Sequence, residues 1–191
     1  MGRRSTFSDD DVFAAVGRML VRDGEVRMQS VVEQTGVSVG SLYHRFGSRE
    51  GLLARAWLDT LAAFHARFLA ALDQPGEVPG LAAALETPRF CRDEPDKALI
   101  LVCCRRSELM SDDTPEALQA ELAAVNDGVM AAIEAFCRRT GLPLEIARLG
   151  LIGFPLGAVK LYMPGAPVPE ALDEEIERAY RAVVLPRLVS S

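Results

Sequence analysis

The chain has 191 residues, 49% of them hydrophobic and 25% charged, and a formal net charge of −6. That length allows one large domain or a small one joined to a larger one, and the composition supports a packed core and excludes a disordered chain. The acidic balance excludes a protein that coats nucleic acid by bulk charge, but the charge is uneven: residues 1–57 carry eight arginines against seven acids, and the remainder carries the whole acidic excess.

Helical spacing recurs along the chain, and no run of alternating β-branched residues predicts a sheet. Ser8 and the three aspartates after it open a first helix as a capping residue followed by acids that suit the N-terminal dipole. Val12, Val16, Met19 and Leu20 form its apolar stripe, with Phe13 beside it, and Asp23-Gly24 ends it. A short helix follows from about Met28 to Thr35. Gly36 permits a tight turn, and Ser38 caps a third helix, Val39 to Phe46. Gly47 stops that helix, and Ser48 caps a long one reaching about Leu72. Breaks are expected at 73–80, 87–95, 110–115, 140–143 and 163–169, with about five more helices between and after them. The expected architecture is all-α, about nine helices, with an N-terminal domain over 1–47 and a larger helical domain over 48–191.

Cysteines stand at 91, 103, 104 and 137, with no metal-ligand spacing and only His44 and His65 to assist. They read as reduced, buried, small hydrophobes, so no metal and no cofactor is expected. The N-terminus lacks an apolar signal core. The longest nearly uncharged apolar stretch, LGLIGFPLGAV at 149–159, is too short to span a bilayer. The expectation is a soluble cytoplasmic protein without a membrane partner. All but two of the 21 basic residues are arginine, the exceptions being Lys97 and Lys160.

Two short helices around Gly36, the second mostly polar, describe a helix-turn-helix, in which the first helix braces the second and the second faces the major groove. Val37, Leu42 and Phe46 can turn inward. Ser38, Val39, Gly40, Ser41, Tyr43, His44 and Arg45 then remain outward. Val39 can meet a thymine methyl, Gly40 lets the backbone approach the duplex, and Ser41 can bond a base edge or a phosphate. Tyr43 and His44 suit phosphates, which fix register rather than sequence. Arg49, a cation in the first turn of the long helix, hints at an anionic partner.

The stretch GVSVGSLYHRFGSREGLL resembles the TetR family of bacterial transcriptional regulators, and the motif-level likeness covers about residues 8–57. The resemblance implies that Ser38, Val39, Gly40, Ser41, Tyr43 and His44 face DNA and that Arg49 meets a backbone phosphate. It also implies that Arg27 and Gln29 contact DNA and that Arg3 and Arg4 act as a basic arm. Members often carry a basic or polar residue where Val39 stands. They usually carry alanine where Val32 and Thr35 stand, which predicts a slightly wider gap between the short helices.

In the larger part, Gly150, Gly153 and Gly157 lie at helical spacing and predict a close helix–helix seam, while Pro155 should kink or interrupt that helix. The last helix, Pro169 to about Leu188, carries Leu172, Ile176, Tyr180 and Val183 on one stripe. Two such helices per subunit would form a four-helix interface, and the resemblance implies a homodimer through the last two long helices. Expected dimer residues are therefore Gly150, Gly153, Gly157, Ile176, Tyr180 and Val183. The resemblance also implies a cavity for a small-molecule effector, with Phe64, Phe68, Phe90, Leu99, Cys103, Met130, Ile133 and Phe154 as lining candidates. No paired carboxylates or nucleophile–base pair suggest an enzyme. The reading is a dimeric repressor released from a palindromic operator by a small molecule, with the long helix as lever. The alternative is a helical small-molecule-binding protein that does not act on DNA.

Overall fold

The structure, a computed structural model, describes residues 8–188, which are helical with no strand among them. In chain order the helices are α1 (Asp9–Asp23), α2 (Met28–Thr35), α3 (Val39–Phe46), α4 (Arg49–Leu72), α5 (Leu81–Asp93), α6 (Pro95–Ala98), α7 (Arg106–Leu109), α8 (Glu116–Thr140), α9 (Leu144–Arg148), α10 (Phe154–Val159) and α11 (Leu172–Val184). A π turn, Leu99–Cys103, extends α6, and another, Leu149–Gly153, joins α9 to α10. A 3₁₀ turn, Leu185–Arg187, ends the last helix.

Local chemistry accounts for the ends. Ser8 Oγ accepts the Asp11 N–H at 3.1 Å, and the Asp11 carboxylate reaches back to Ser8, a reciprocal cap. Gly24 and Gly36 close α1 and α2 in the left-handed region, at φ +72° and +71°. Ser48 Oγ accepts the Gly51 N–H at 2.9 Å and so caps α4.

By packing, the chain forms two compact units: residues 1–60 with 96–122, and residues 61–95 with 123–191. The sequence places a boundary after residue 47, at the Gly47 turn. The first unit extends past it because its core needs more than three short helices. Val12, Phe13, Val16 and Met19 of α1, Val31 of α2 and Leu42 of α3 close only with Leu52, Leu53 and Ala56 of α4 and with Ile100 and Leu109. The second unit has its own core, in which Phe68, Ala83, Ile133, Phe136, Leu151, Tyr180 and Val184 are buried.

Two breaks differ from expectation. α5 runs through Thr87 and Pro88 to Asp93, although the sequence predicts a break from 87. A proline interrupts the bonding of a single turn, and burial of Thr87, Pro88, Phe90 and Cys91 holds the helix together around it. Pro155 stands at the start of α10, directly after the π turn. The expected interruption is met there by a local widening of the helix rather than by a sharp kink.

The glycine row divides. A Cβ on Gly150 would lie 2.8 Å from Val184 Cγ2 and 3.1 Å from Tyr180 Cε2, so Gly150 is the site where the Leu149–Gly153 turn meets α11 of the same chain. Ile176 and Tyr180, at 2% and 0% exposure, belong to that same interior. These three expected dimer residues are spent on the chain's own core, because α11 must bury its widest stripe against α5 and α10 before anything else can pack on it. Gly153 and Gly157 are exposed, and Val183 is half-buried.

Candidate functional site

α3 is eight residues long and buries only Leu42 fully. Leu42 points into the first core, and Phe46 packs at a tilt on Phe13 with ring centroids 5.8 Å apart. The remaining residues have no interior to enter. Ser38, Val39, Gly40, Ser41, Tyr43, His44 and Arg45 are all exposed, with Val39 at 38% and Tyr43 at 45%. Ser38 caps the helix: its Oγ accepts the Ser41 N–H at 3.1 Å and lies 2.8 Å from Ser41 Oγ. Among the described residues, a Cβ on Gly40 would meet nothing nearer than Ser38 Oγ at 4.0 Å, so no contact among them requires glycine there. Ser38, Gly40, Ser41, His44 and Arg45 line one shallow, open concavity on this face.

The turn before α3 is closed by Thr35. Its hydroxyl donates to the Val31 carbonyl at 2.7 Å and accepts the Val37 N–H at 3.3 Å. Thr35 thus ties the turn before α3 back onto α2. Arg45 is held to Asp9 at 2.6 Å, which ties the exposed face of α3 to the start of α1.

The other expected DNA contacts are less uniform. Arg27 and Gln29 are exposed at the start of α2, and Arg27 pairs with Glu25. Arg49 is half-buried and engaged within the chain: its Nε donates to the Val26 carbonyl at 2.7 Å, and its Nη1 lies 3.2 Å from Glu50. The cation at the first turn of α4 therefore has a structural partner of its own, the loop before α2. Arg3 and Arg4 lie outside the described residues.

The effector candidates separate between the units. Leu99 and Cys103 fall in the first, while Phe64, Phe68, Phe90, Met130, Ile133 and Phe154 fall in the second. There, Phe68, Phe90 and Ile133 are fully buried, and Phe64 packs against Phe90 at 5.4 Å and Phe68 at 6.0 Å. Arg67 lies with its guanidinium carbon 5.7 Å from the Phe90 ring and pairs with Glu86 and Asp93, both at 2.8 Å. His65, on the same helix, has its Nδ1 buried without a hydrogen-bond partner, and burial holds its pKa below the ordinary value. No periodicity announces such an atom, because its status depends on what surrounds it.

None of the four cysteines forms a disulfide; Cys91 is buried and the others are half-buried. Burial, reinforced by Glu108, pushes the Cys104 thiol up to about 12, away from thiolate chemistry. Among the described residues no group of three or more His, Cys, Asp or Glu is placed to hold a metal, and no helix is long and apolar enough to cross a membrane.

Residues 24–56, from the end of α1 through the start of α4, match the family model of the bacterial regulatory proteins, tetR family. This helix-turn-helix belongs to the TetR family. The whole chain has the TetR fold as well. A TetR family transcription regulator from Marinobacter aquaeolei VT8 superposes with a TM-score of 0.68 at 17% identity, over 92% of this chain and 95% of that one. The fatty acid degradation regulator FadR from Bacillus halodurans gives 0.68 at 14% identity, over 90% and 93%. AibR, in complex with isovaleryl coenzyme A and operator DNA, gives 0.64 at 17% identity, over 95% and 100%. No curated protein matches at the level of sequence. The TetR helix-turn-helix is the motif of a DNA-binding regulator, and α3 is its second helix.

Proposed function

We propose that this protein is a transcriptional repressor that binds a palindromic operator as a homodimer and is released by a small-molecule effector. The observation that carries the reading is α3: a capped helix with one buried residue and an outward face of Ser38, Val39, Gly40, Ser41, Tyr43 and His44. In the proposal Tyr43 and His44 meet phosphates, Ser41 and Val39 meet base edges, and Arg27 and Gln29 brace the register from α2. Arg49 acts chiefly by holding the loop at Val26, with any phosphate contact coming from what remains of its guanidinium.

With Gly150, Ile176 and Tyr180 packed inside the chain, the proposed homodimer uses exposed residues beside them instead. Leu149, Gly153, Gly157 and Leu161 recur every four residues and are exposed, Leu161 at 83%, and Leu185 is exposed near the chain's end. Glycines flanked by exposed leucines allow close approach of a second copy, and isologous pairing supplies two recognition helices for two half-sites. The aromatic cluster around Phe64, together with Met130 and Phe154, is the apolar wall offered to an effector. AibR was crystallised with both an acyl coenzyme A and its operator, which supports an effector-responsive reading of the shared fold. Coupling of effector to operator binding is typically about 1–3 kcal/mol.

Selection of bound duplexes from a random pool, followed by a salt titration, tests the proposal. The selected operator should be palindromic with half-sites about one helical turn apart. Affinity should fall by orders of magnitude between about 50 and about 200 mM salt. Equal binding to the selected and a scrambled duplex, or no binding at low salt, rejects α3 as a recognition helix.

A further inference from the structure

The segment 96–103 is covalently part of the larger sequence half but is built into the first unit. Its backbone lies directly on α1. A Cβ on the buried Gly17 would come within 3.0 Å of Ile100 Cγ1 and 3.3 Å of the Asp96 carbonyl oxygen, so glycine is what lets the two segments touch. Ile100 is 1% exposed in the same core as α1, α2 and α3. Two charged ties flank this contact. Asp96 pairs with Arg18 at 2.8 Å on the exposed side. Lys97 lies between two carboxylates from different helices: Asp59 of α4 at 3.1 Å and Asp10 of α1 at 3.4 Å. Its side chain is 21% exposed and is more enclosed than either partner, Asp59 at 38% and Asp10 at 72%.

The same turn of α1 that Lys97 holds also holds α3. Asp9, next to Asp10, binds Arg45, and Phe13, one turn on, packs on Phe46. The first turn of α1 carries three consecutive aspartates, whose mutual repulsion would otherwise work against a fixed geometry. A cation that reaches one of them from a separate element offsets that repulsion and anchors the turn to α4. In a chain that uses arginine for nearly every positive charge, this one is lysine. A compact ammonium can sit between two carboxylates as a point charge, whereas a planar guanidinium demands a fork-shaped partner.

We propose that Lys97 is a positioning residue for the recognition helix: by tying α1 to α4 it fixes the turn from which Asp9 and Phe13 hold α3. The inference rests on the DNA-binding reading above and adds to it a residue that does not touch DNA. Recognition surfaces need side chains held to within about half an ångström, so loss of the tie reduces discrimination between sequences without unfolding the protein. Partly exposed ion pairs contribute little to global stability, so the effect is read in specificity rather than in the melting midpoint.

The experiment uses the full chain on its pool-selected operator and on a scrambled duplex, with the ratio of the two affinities as the readout. A wild type that does not discriminate overturns the DNA-binding reading itself, and this is known before any variant is compared. Given a discriminating wild type, Lys97→Met should lower the ratio about fivefold, the worth of a good ion pair. Asp10→Asn, which cuts the α1 tie and leaves Asp59 paired, should lower it in the same direction. Lys97→Arg, which keeps the charge, should recover most of the ratio. Thermal midpoints of all three should stay within a few degrees of wild type. The proposal is overturned if Lys97→Met and Asp10→Asn keep the wild-type ratio. It is equally overturned if Lys97→Met alone loses it, since the residue then acts only by neutralising Asp59, or if Lys97→Arg is as poor as Lys97→Met.

Discussion

Tyr43 on α3 and Tyr180 on α11 are the same residue in opposite circumstances. Tyr180 is fully buried, and its hydroxyl donates to the Pro79 carbonyl at 2.8 Å. Tyr43 is 45% exposed, and among the described residues its hydroxyl meets no protein partner. Their helices differ in the same way. α11 buries Leu172, Ile176, Tyr180 and Val184 along one side, while α3 buries Leu42 alone. Both helices are amphipathic, so amphipathicity does not separate a structural helix from a presenting one. What separates them is the width of the buried stripe and whether the polar atoms on the helix already have partners inside the chain.

Substitutions can break this contrast. The largest effect is expected beside Tyr180. Gly80 stands at φ +79°, and a Cβ there would lie 2.4 Å from Tyr180 Oη and 2.8 Å from Phe136 Cζ. Gly80→Ala combines a strained backbone with overpacking and should cost about 3 kcal/mol in urea unfolding. A loss under about 1 kcal/mol would mean that the loop yields easily and that Tyr180 is not clamped. Tyr180→Phe comes next, at about 1 kcal/mol, because it removes the partner of the half-buried Pro79 carbonyl.

Tyr43→Phe should reverse the pattern. Stability should stay within about 0.5 kcal/mol of wild type, as for an exposed surface change. Operator affinity should fall by about 1 kcal/mol, equally on different duplexes if the hydroxyl meets a phosphate. Fluorescence anisotropy on two operators checks this, and a loss confined to one of them moves Tyr43 to base readout.

The smallest effect expected is a pH slope from His65. Burial depresses its folded pKa below the ordinary value of 6.5, so acid favours the unfolded chain, which binds the proton more readily. Stability from this group is fully present above the unfolded value and declines as the pH falls below it. His65→Leu should flatten the slope of unfolding free energy between about pH 7 and about pH 5. An unchanged slope would show that other groups set it.

Much of the first unit could be read directly. The Ser8 cap, the Gly24 and Gly36 stops, the inward Leu42 and the outward face of α3 follow from spacing over fewer than a dozen residues, and the structure has them where the pattern puts them. Local signals suffice there because each element is short and capped by its own side chains. Longer-range matters were less legible. Gly150 looks like Gly153 and Gly157 in the sequence, yet Val184 and Tyr180 close over only the first of them. Arg49 hinted at an anionic partner outside the chain, and the Val26 carbonyl, 23 residues away, engages it. Thr35 stands where the resemblance leads one to expect alanine, and its hydroxyl closes the turn after α2.

The sequence by itself determined the all-helical class, the helix-turn-helix with its outward residues, and the resemblance to TetR regulators. These depend on periodicity, capping and turn residues, which act between neighbours a few positions apart. Only the tertiary structure decided that residues 96–122 join the unit that holds the helix-turn-helix, that α5 runs through Pro88, and that Gly150, Ile176 and Tyr180 serve the chain's own interior. Each of those outcomes depends on which apolar surface an element finds to cover it, and that partner lies tens of residues away, beyond the reach of any local pattern.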